Sequence, residues 1–260
     1  MQQEFEGKCV FVMGGTTGIG RAAGELLAER GARVAVFGSA VSADQTDANL
    51  AALPKDMLVF TGDGSQSAEV EVAVEKTAKH FGALDILINS AAVHPYGTAL
   101  ETPDHVWDRV MGVNVKSAFL TAHYGLPHLI ARGSGAIVNV ASNQGSANTG
   151  GLSAYATSKG ALLAFTRTLA IDFGVHNIRA NSVSPGPIDT PLLRIAAEKF
   201  GGGRDRQIVY DEWRERVPIR RIGTSREIAE VIAFLVSDRA SYVTGADYAA
   251  DGGLLAKLGF

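Results

Sequence analysis

A five-residue apolar run, Cys9–Met13 (CVFVM), leads straight into Gly14-Gly15-Thr16-Thr17-Gly18-Ile19-Gly20 and then into a helical pattern. In that pattern Ile19, Ala22, Ala23, Leu26 and Leu27 recur at i, i+3, i+4 spacing, and Gly31 closes it. A strand with no polar face must be covered on both sides, the condition of a strand inside a parallel sheet. The glycine turn delivers the chain directly to a helix able to cover one of those sides. The start of the sequence therefore calls for parallel strands joined by crossover helices.

The rest of the chain keeps the alternation. Residues 34–37 and 57–61 read as strands, 68–81 as a helix with a charged outer face, and 86–88 as a fourth strand. A long helix is expected over 104–131, a fifth strand over 136–141, a helix over 154–173 and a sixth strand over 178–184. The pattern predicts α/β architecture: a Rossmann-like doubly wound parallel sheet with helices on both faces, forming a single domain over 1–260. Residues 188–223 stand apart, being charged and carrying Gly201, Gly202 and Gly203. They are expected to form an irregular insertion over one edge that covers a substrate pocket.

Composition narrows the function. A single cysteine, Cys9, excludes a disulfide framework or a multi-thiolate metal site, and its place in an apolar strand predicts a buried, inert thiol. No His, Asp or Glu cluster has metal-ligand spacing, so no metal is expected. A net charge of −3 offers no basic footprint for nucleic acid. No apolar run reaches the ~20 residues of a membrane span, and residues 1–8 lack a secretory apolar stretch. A soluble, cytoplasmic protein acting on a small molecule, with no membrane or nucleic-acid partner, is the expectation.

The glycine loop fits a dinucleotide. Gly14 permits a tight turn, Gly18 leaves room for a pyrophosphate, and Gly20 lets the helix pack closely, while the helix N-terminus offers free N–H groups. The spacing is G-x-x-x-G-x-G, wider than G-x-G-x-x-G. The end of the second strand, Phe37-Gly38-Ser39, has no carboxylate to repel a 2′-phosphate, which favours NADP. No Arg or Lys at 17, 38 or 39 grips that phosphate, so NAD stays open. Asp63, after the third strand, is placed either to bond an adenine amino group or to cap its own loop.

Tyr155 and Lys159 lie four apart on one face of a helix. A phenol is a poor base at neutral pH, but a neighbouring ammonium favours its phenolate. Such a pair can give a proton to a carbonyl oxygen or take one from an alcohol. Ser142 follows the fifth strand, at the carboxyl edge where ligands bind in such sheets, and its hydroxyl can orient the reacting oxygen.

With these elements in order, the sequence resembles the short-chain dehydrogenase/reductase family over essentially its whole length. The matching positions are Gly14-x-x-x-Gly18-Ile19-Gly20, Asp63, Asn89-Ser90-Ala91-Ala92, Asn114, Ser142, Tyr155-x-x-x-Lys159, Pro185-Gly186 with Thr190, and Asp251-Gly252-Gly253. The resemblance implies an NAD(P)-dependent oxidoreductase moving hydride between a nicotinamide and a secondary alcohol or ketone. Tyr155 is then the general acid/base, Lys159 lowers its pKa and holds the nicotinamide ribose, and Ser142 orients the substrate. Asn114, at a bend of the long helix, holds a water in a proton relay. Cofactor contacts carry over to Gly14, Thr16, Thr17, Gly18, Ile19 and Gly20, and to Ser39, Asp63, Asn89 and Ala91. They carry over also to Tyr155, Lys159, Pro185, Gly186, Ile188 and Thr190, with Asn89 tying the fourth strand to its neighbours.

Two departures from the family pattern stand out. Met13 replaces a Thr whose side chain supports the loop, and Ala92 adds a methyl where the family has Gly. The loop after Ser142 is rich in amides, so Gln144 and Asn148, with His94 over the mouth, are the expected substrate contacts. A polar, hydroxylated substrate follows. Surplus apolar residues on the long helix and the Tyr155 helix (Ala118, Phe119, Ala122, Ala161, Leu162, Phe165) predict a homotetramer, with a homodimer as the alternative. Two other functions share such a fold: a non-catalytic NAD(P)-binding sensor or assembly subunit, and an epimerase or dehydratase.

Overall fold

The computed structural model describes residues 3–39 and 50–257. Its centre is a seven-stranded sheet in which every neighbouring pair runs parallel. The strands are β1 (Cys9–Met13), β2 (Arg33–Ser39), β3 (Leu58–Gly62), β4 (Ile86–Asn89), β5 (Gly135–Val140), β6 (Ile178–Pro185) and, last in the chain, β9 (Asp247–Ala250). Their spatial order is β3-β2-β1-β4-β5-β6-β9. The direction of winding reverses between β1 and β4, which opens a crevice at the carboxyl ends of those strands.

The strands carry apolar residues on both faces because helices cover both. Val10 and Val12 of β1 point to one side, where α1 (Gly18–Glu29) and α8 (Ser225–Val236) contribute Leu26, Leu27, Ile228 and Ile232. Cys9, Phe11 and Met13 point to the other. There α2 (Ser67–Phe81), α4 (Ser117–Arg132) and α5 (Ser153–Phe173) supply Val74, Leu120, Leu129 and Leu169. Each fully buried side chain of this size is worth about 1.5–3 kcal/mol relative to exposure. The two cores thus hold β1 in the middle of the sheet and fix where the glycine loop emerges.

The six expected strands are present, their ends shifted by a residue or so, and three features go beyond expectation. First, β9 extends the sheet past β6, pairing Ser182 with Asp247 through Pro185 with Ala250. Second, α8 closes one face; its start is a capping box in which the Thr224 hydroxyl accepts from the Glu227 amide while the Glu227 carboxylate accepts from the Thr224 amide. Third, the expected long helix is divided. α3 (Asp104–Met111) passes into a π-helical turn, Gly112–Lys116, before α4 begins. Such a turn carries one extra residue and re-aims the side chains within it, here Asn114.

The segment 188–223 was expected to be irregular, and it is not. Short β7 (Ile188–Asp189) and β8 (Gly223–Thr224) pair in parallel and close its base. Between them lie α6 (Pro191–Gly201), capped by the Thr190 hydroxyl, and α7 (Arg206–Arg214), capped by the Asp205 carboxylate. Its charges largely satisfy one another at the surface, as in Arg204–Glu212 and Arg220–Glu215. Among the described residues, no helix is long and apolar enough to cross a membrane.

Candidate active site

The loop after β1 is held by backbone. The amides of Gly14 and Gly15 both donate to the Phe37 carbonyl of β2, at 2.8 and 3.0 Å. These bonds support the turn without a side chain at position 13, and Met13 instead packs into the core. Gly14 has φ +75°, and a Cβ there would run into the amide nitrogen of Ala91. A Cβ on Gly20 would overlap the carbonyl oxygen of Gly14, so α1 approaches the loop as closely as backbone allows.

These features fit a pyrophosphate. α1 begins at Thr17 with no side-chain cap, and no acidic residue occupies its first turn. Its N–H groups and positive dipole end therefore stay available to an anion. The atoms nearest to a Cβ placed on Gly18 belong to Thr190 and Pro191 across the cleft, the closest 3.5 Å away. Ile188 and Thr190 follow β6 and the Pro185-Gly186 turn, so both lips of the cleft come from expected positions.

At the adenosine end, Ser39 finishes β2 and Asp63 follows β3. Asp63 acts as a loop cap: one carboxylate oxygen accepts from the Ser65 amide and hydroxyl at 3.0 and 2.8 Å. The other pairs with Arg109 of α3 at 2.8 Å. Burial alone would raise its pKa, but these bonds outweigh it and hold the carboxyl below its ordinary value. Asn89 ties β4 to β5, donating to the Asn139 side chain at 2.7 Å, and Asn139 in turn donates to Thr166 of α5.

The catalytic candidates converge above this crevice. Tyr155 and Lys159 sit on the buried face of α5, with relative exposures of 6% and 2%. Lys159 Nζ donates to the Val140 carbonyl at 2.8 Å and lies 5.6 Å from the centre of the Tyr155 ring. Ser142 caps a short 3-10 turn, Asn143–Gly145, through its hydroxyl and also interacts with the Tyr155 phenol. Asn114, in the π-helical turn, donates to Ser158 Oγ at 2.9 Å, and Ser158 donates to the Tyr155 carbonyl. Ser142 and Lys159 thus flank the Tyr155 side chain, and Asn114 reaches the Tyr155 backbone through Ser158.

Burial dominates the electrostatics. It pushes the Tyr155 phenol up to about 12, with the Ser142 hydroxyl acting in the opposite sense. It pushes the Lys159 ammonium down to about 7. The sequence reading has Lys159 lowering the phenol's pKa, whereas here desolvation outweighs any such help. At neutral pH the phenol therefore holds its proton.

The expected substrate residues fare differently. Gln144 spends its amide on Thr149, donating to the hydroxyl at 2.6 Å and accepting from the backbone amide at 2.8 Å. Asn148 is exposed and lines a surface hollow with Thr149, Leu152 and Thr157. Of these three, His94 alone touches Tyr155: its ring lies edge-on to the phenol ring, centroids 4.0 Å apart. Tyr96, which sequence reasoning passed over, bonds His94 Nδ1 at 3.2 Å and packs on Phe200 of α6. The aromatic in Val93-His94-Pro95-Tyr96 was the available signal.

A glycine-lined anion cradle feeding a buried Tyr–Lys pair defines a dinucleotide-dependent oxidoreductase fold. The family described as enoyl-(acyl carrier protein) reductase matches residues 14–255. An uncharacterized oxidoreductase of Thermotoga maritima is 36% identical over 250 residues, covering 96% of this chain and 98% of its own. The meso-2,3-butanediol dehydrogenase of Serratia marcescens is 34% identical over 256 residues, covering 98% and 97%. Among solved structures, the aldohexose dehydrogenase of Thermoplasma acidophilum superposes with a TM-score of 0.91 at 30% identity, covering 100% of this chain and 98% of that one. The chain belongs to the short-chain dehydrogenase/reductase family. It is an NAD(P)-dependent oxidoreductase acting on CH–OH groups.

Proposed function

We propose that the chain interconverts a secondary alcohol and its ketone on a small, hydroxylated substrate. The observation that carries this is the buried Tyr155 phenol, flanked by Lys159 and Ser142 at the crevice beside the glycine loop. A nicotinamide dinucleotide bound in the crevice supplies or accepts the hydride. Its phosphates would lie against Gly14, Thr16, Thr17, Gly18, Ile19 and Gly20, and its adenosine against Ser39 and Asp63. Asn89, Ala91, Pro185, Gly186, Ile188 and Thr190 would line the nicotinamide half, with Lys159 on the ribose.

Within the chain, Ser142 orients the reacting oxygen toward Tyr155, and Tyr155 gives or takes the proton at that oxygen. Lys159 sets the cost of the phenolate, and Asn114 keeps the π-helical turn against α5 so that a proton can be relayed outward. The segment 188–223 covers the substrate. Hydroxylated substrates are favoured by the polar groups at the mouth and by the two dehydrogenases above that are named for a diol and a sugar. NADP is preferred to NAD, because Phe37-Gly38-Ser39 presents no carboxylate. The test is a screen of polyols, sugars and ketones with both cofactors, followed by absorbance of the reduced nicotinamide. Turnover should appear with hydroxylated compounds and be several-fold more efficient with NADP. Equal efficiency with NAD would refute the cofactor preference.

We also place the protein in the cytoplasm as a homotetramer, or alternatively a dimer. Ala118, Ala122 and Leu162 are consumed by the chain's own core, but Phe119 remains 47% exposed and Ile171 78% exposed. Phe119 stands beside Phe165, ring centroids 6.4 Å apart, on adjoining helices α4 and α5. Light scattering should give the mass of four chains; a monomer at micromolar concentration would remove the assignment.

A further inference from the structure

Among the described residues, two buried side-chain polar atoms have no hydrogen-bond partner: Asn89 Oδ1, at the carboxyl end of β4, and His94 Nε2. A buried nitrogen without a partner is costly, roughly 1–3 kcal/mol, and native chains keep few of them. This one belongs to the ring that rests edge-on against Tyr155.

The orientation of that ring is built, not incidental. At one end of its segment the Asn114 side chain grips Val93 twice, accepting from its amide at 2.8 Å and donating to its carbonyl at 3.0 Å. At the other end Gly97 pairs with the segment before α5, donating to the Gly151 carbonyl and accepting from the Ser153 amide. Between these clamps the Tyr96 hydroxyl engages His94 Nδ1 and leaves Nε2 as the ring's one unspent position. With the Gln144 amide occupied by Thr149, His94 Nε2 is, beside the Ser142 hydroxyl, a polar position next to the phenol able to take a ligand.

We propose that His94 Nε2 binds a second oxygen of the substrate, carried on a carbon adjacent to the reacting one or one further removed. The substrate class is then a diol, hydroxyketone or diketone in preference to a simple alcohol or ketone. This rests on the dehydrogenase function proposed above. The reacting oxygen meets Tyr155 while its neighbour meets the ring packed against Tyr155. Burial, aided by the Lys159 charge, holds His94 down to about 4, so the imidazole is neutral near pH 7. A neutral ring serves either oxidation state: Nε2–H donates to a carbonyl when Nδ1 accepts from Tyr96, and Nε2 accepts from a hydroxyl when Nδ1–H donates to Tyr96.

The test compares kcat/KM for butane-2,3-diol with that for butan-2-ol, and for 3-hydroxybutan-2-one with that for butanone. The wild type should favour the dioxygenated member of each pair. In His94→Phe, which keeps an aromatic ring, the ratio should fall by about 10- to 100-fold, whatever change of rate the two substrates share. His94→Gln, which keeps a hydrogen-bonding end, should recover part of it. A second readout needs no turnover. In the presence of the reduced dinucleotide, butane-2,3-diol should shift one imidazole nitrogen resonance that is missing from His94→Phe. A wild-type ratio at or below one overturns the proposal, as does an unchanged ratio in His94→Phe or a His94→Gln ratio equal to that of His94→Phe. An imidazole unmoved by saturating diol overturns it too. Those results leave the dehydrogenase function standing. Absence of turnover with all four compounds and every polyol, sugar and ketone of the wider screen, with either cofactor, overturns both.

Discussion

Replacing Tyr155 by Phe is expected to lower kcat/KM by about 10²–10⁴-fold in both directions, the range for losing a positioned acid/base. Affinity for the dinucleotide should stay nearly unchanged, as read by titration calorimetry. The phenyl ring fills the same buried space, and the interaction given up with Ser142 is worth about 0.5–1.5 kcal/mol. The fold should therefore survive and the loss should appear in turnover. The direction of pH dependence follows from the buried phenol, pushed up to about 12. Reduction uses its protonated form, so it should hold steady through neutral pH and decline only in strong alkali. Alcohol oxidation needs the proton removed and should rise with pH. A Tyr155→Phe enzyme within tenfold of wild type would end the assignment.

Lys159→Met should cost turnover on the order of 10²-fold, since Tyr155 loses the amine held beside its ring. The same substitution carries a stability signature. Burial takes the Lys159 ammonium from 10.5 down to about 7 in the folded chain. Below about 7 both folded and unfolded forms carry the proton, and the penalty for a buried ammonium is complete. Between about 7 and 10.5 the unfolded chain binds the proton and the folded chain does not, so this group's contribution to stability rises with pH. The Met variant lacks that dependence. Its unfolding free energy relative to wild type should therefore be most favourable at about pH 6 and shrink by about pH 9, as measured by denaturant titration. A difference independent of pH would mean that Lys159 is not held deprotonated by burial.

Local chemistry made much of this legible. Cys9–Met13 and the glycine loop announce themselves because strand, turn and helix are each encoded by neighbouring residues. Ser142, Tyr155 and Lys159 are visible because each sits at a fixed offset from such an element. The resemblance implied a bend at Asn114, but its π-helical form is not visible in the spacing, since one extra residue per turn leaves the apolar periodicity of 104–131 almost intact. In 188–223, charged outer faces mask two short helices whose inner faces offer little beyond Ala196, Ala197 and Val209. α8 was readable in principle, from Thr224, Glu227 and the apolar spacing of Ile228, Ile232 and Leu235. β9 (DYAA) is an edge strand without the continuous apolar run that reveals the equally short β4 (ILIN). The contact of His94 with Tyr155, and of Tyr96 with Phe200, joins loops and helices that only the folded sheet brings together.

The clamps at Val93 and Gly97 bear on what substitution can do here. Both ends of the 93–97 segment are fixed by groups other than the side chains of His94 and Tyr96: the Asn114 amide on one side and backbone pairing on the other. Substitutions at 94 and 96 would therefore alter what the segment displays beside Tyr155 while leaving both of its anchors in place. The path of this segment is thus set independently of the side chains it displays.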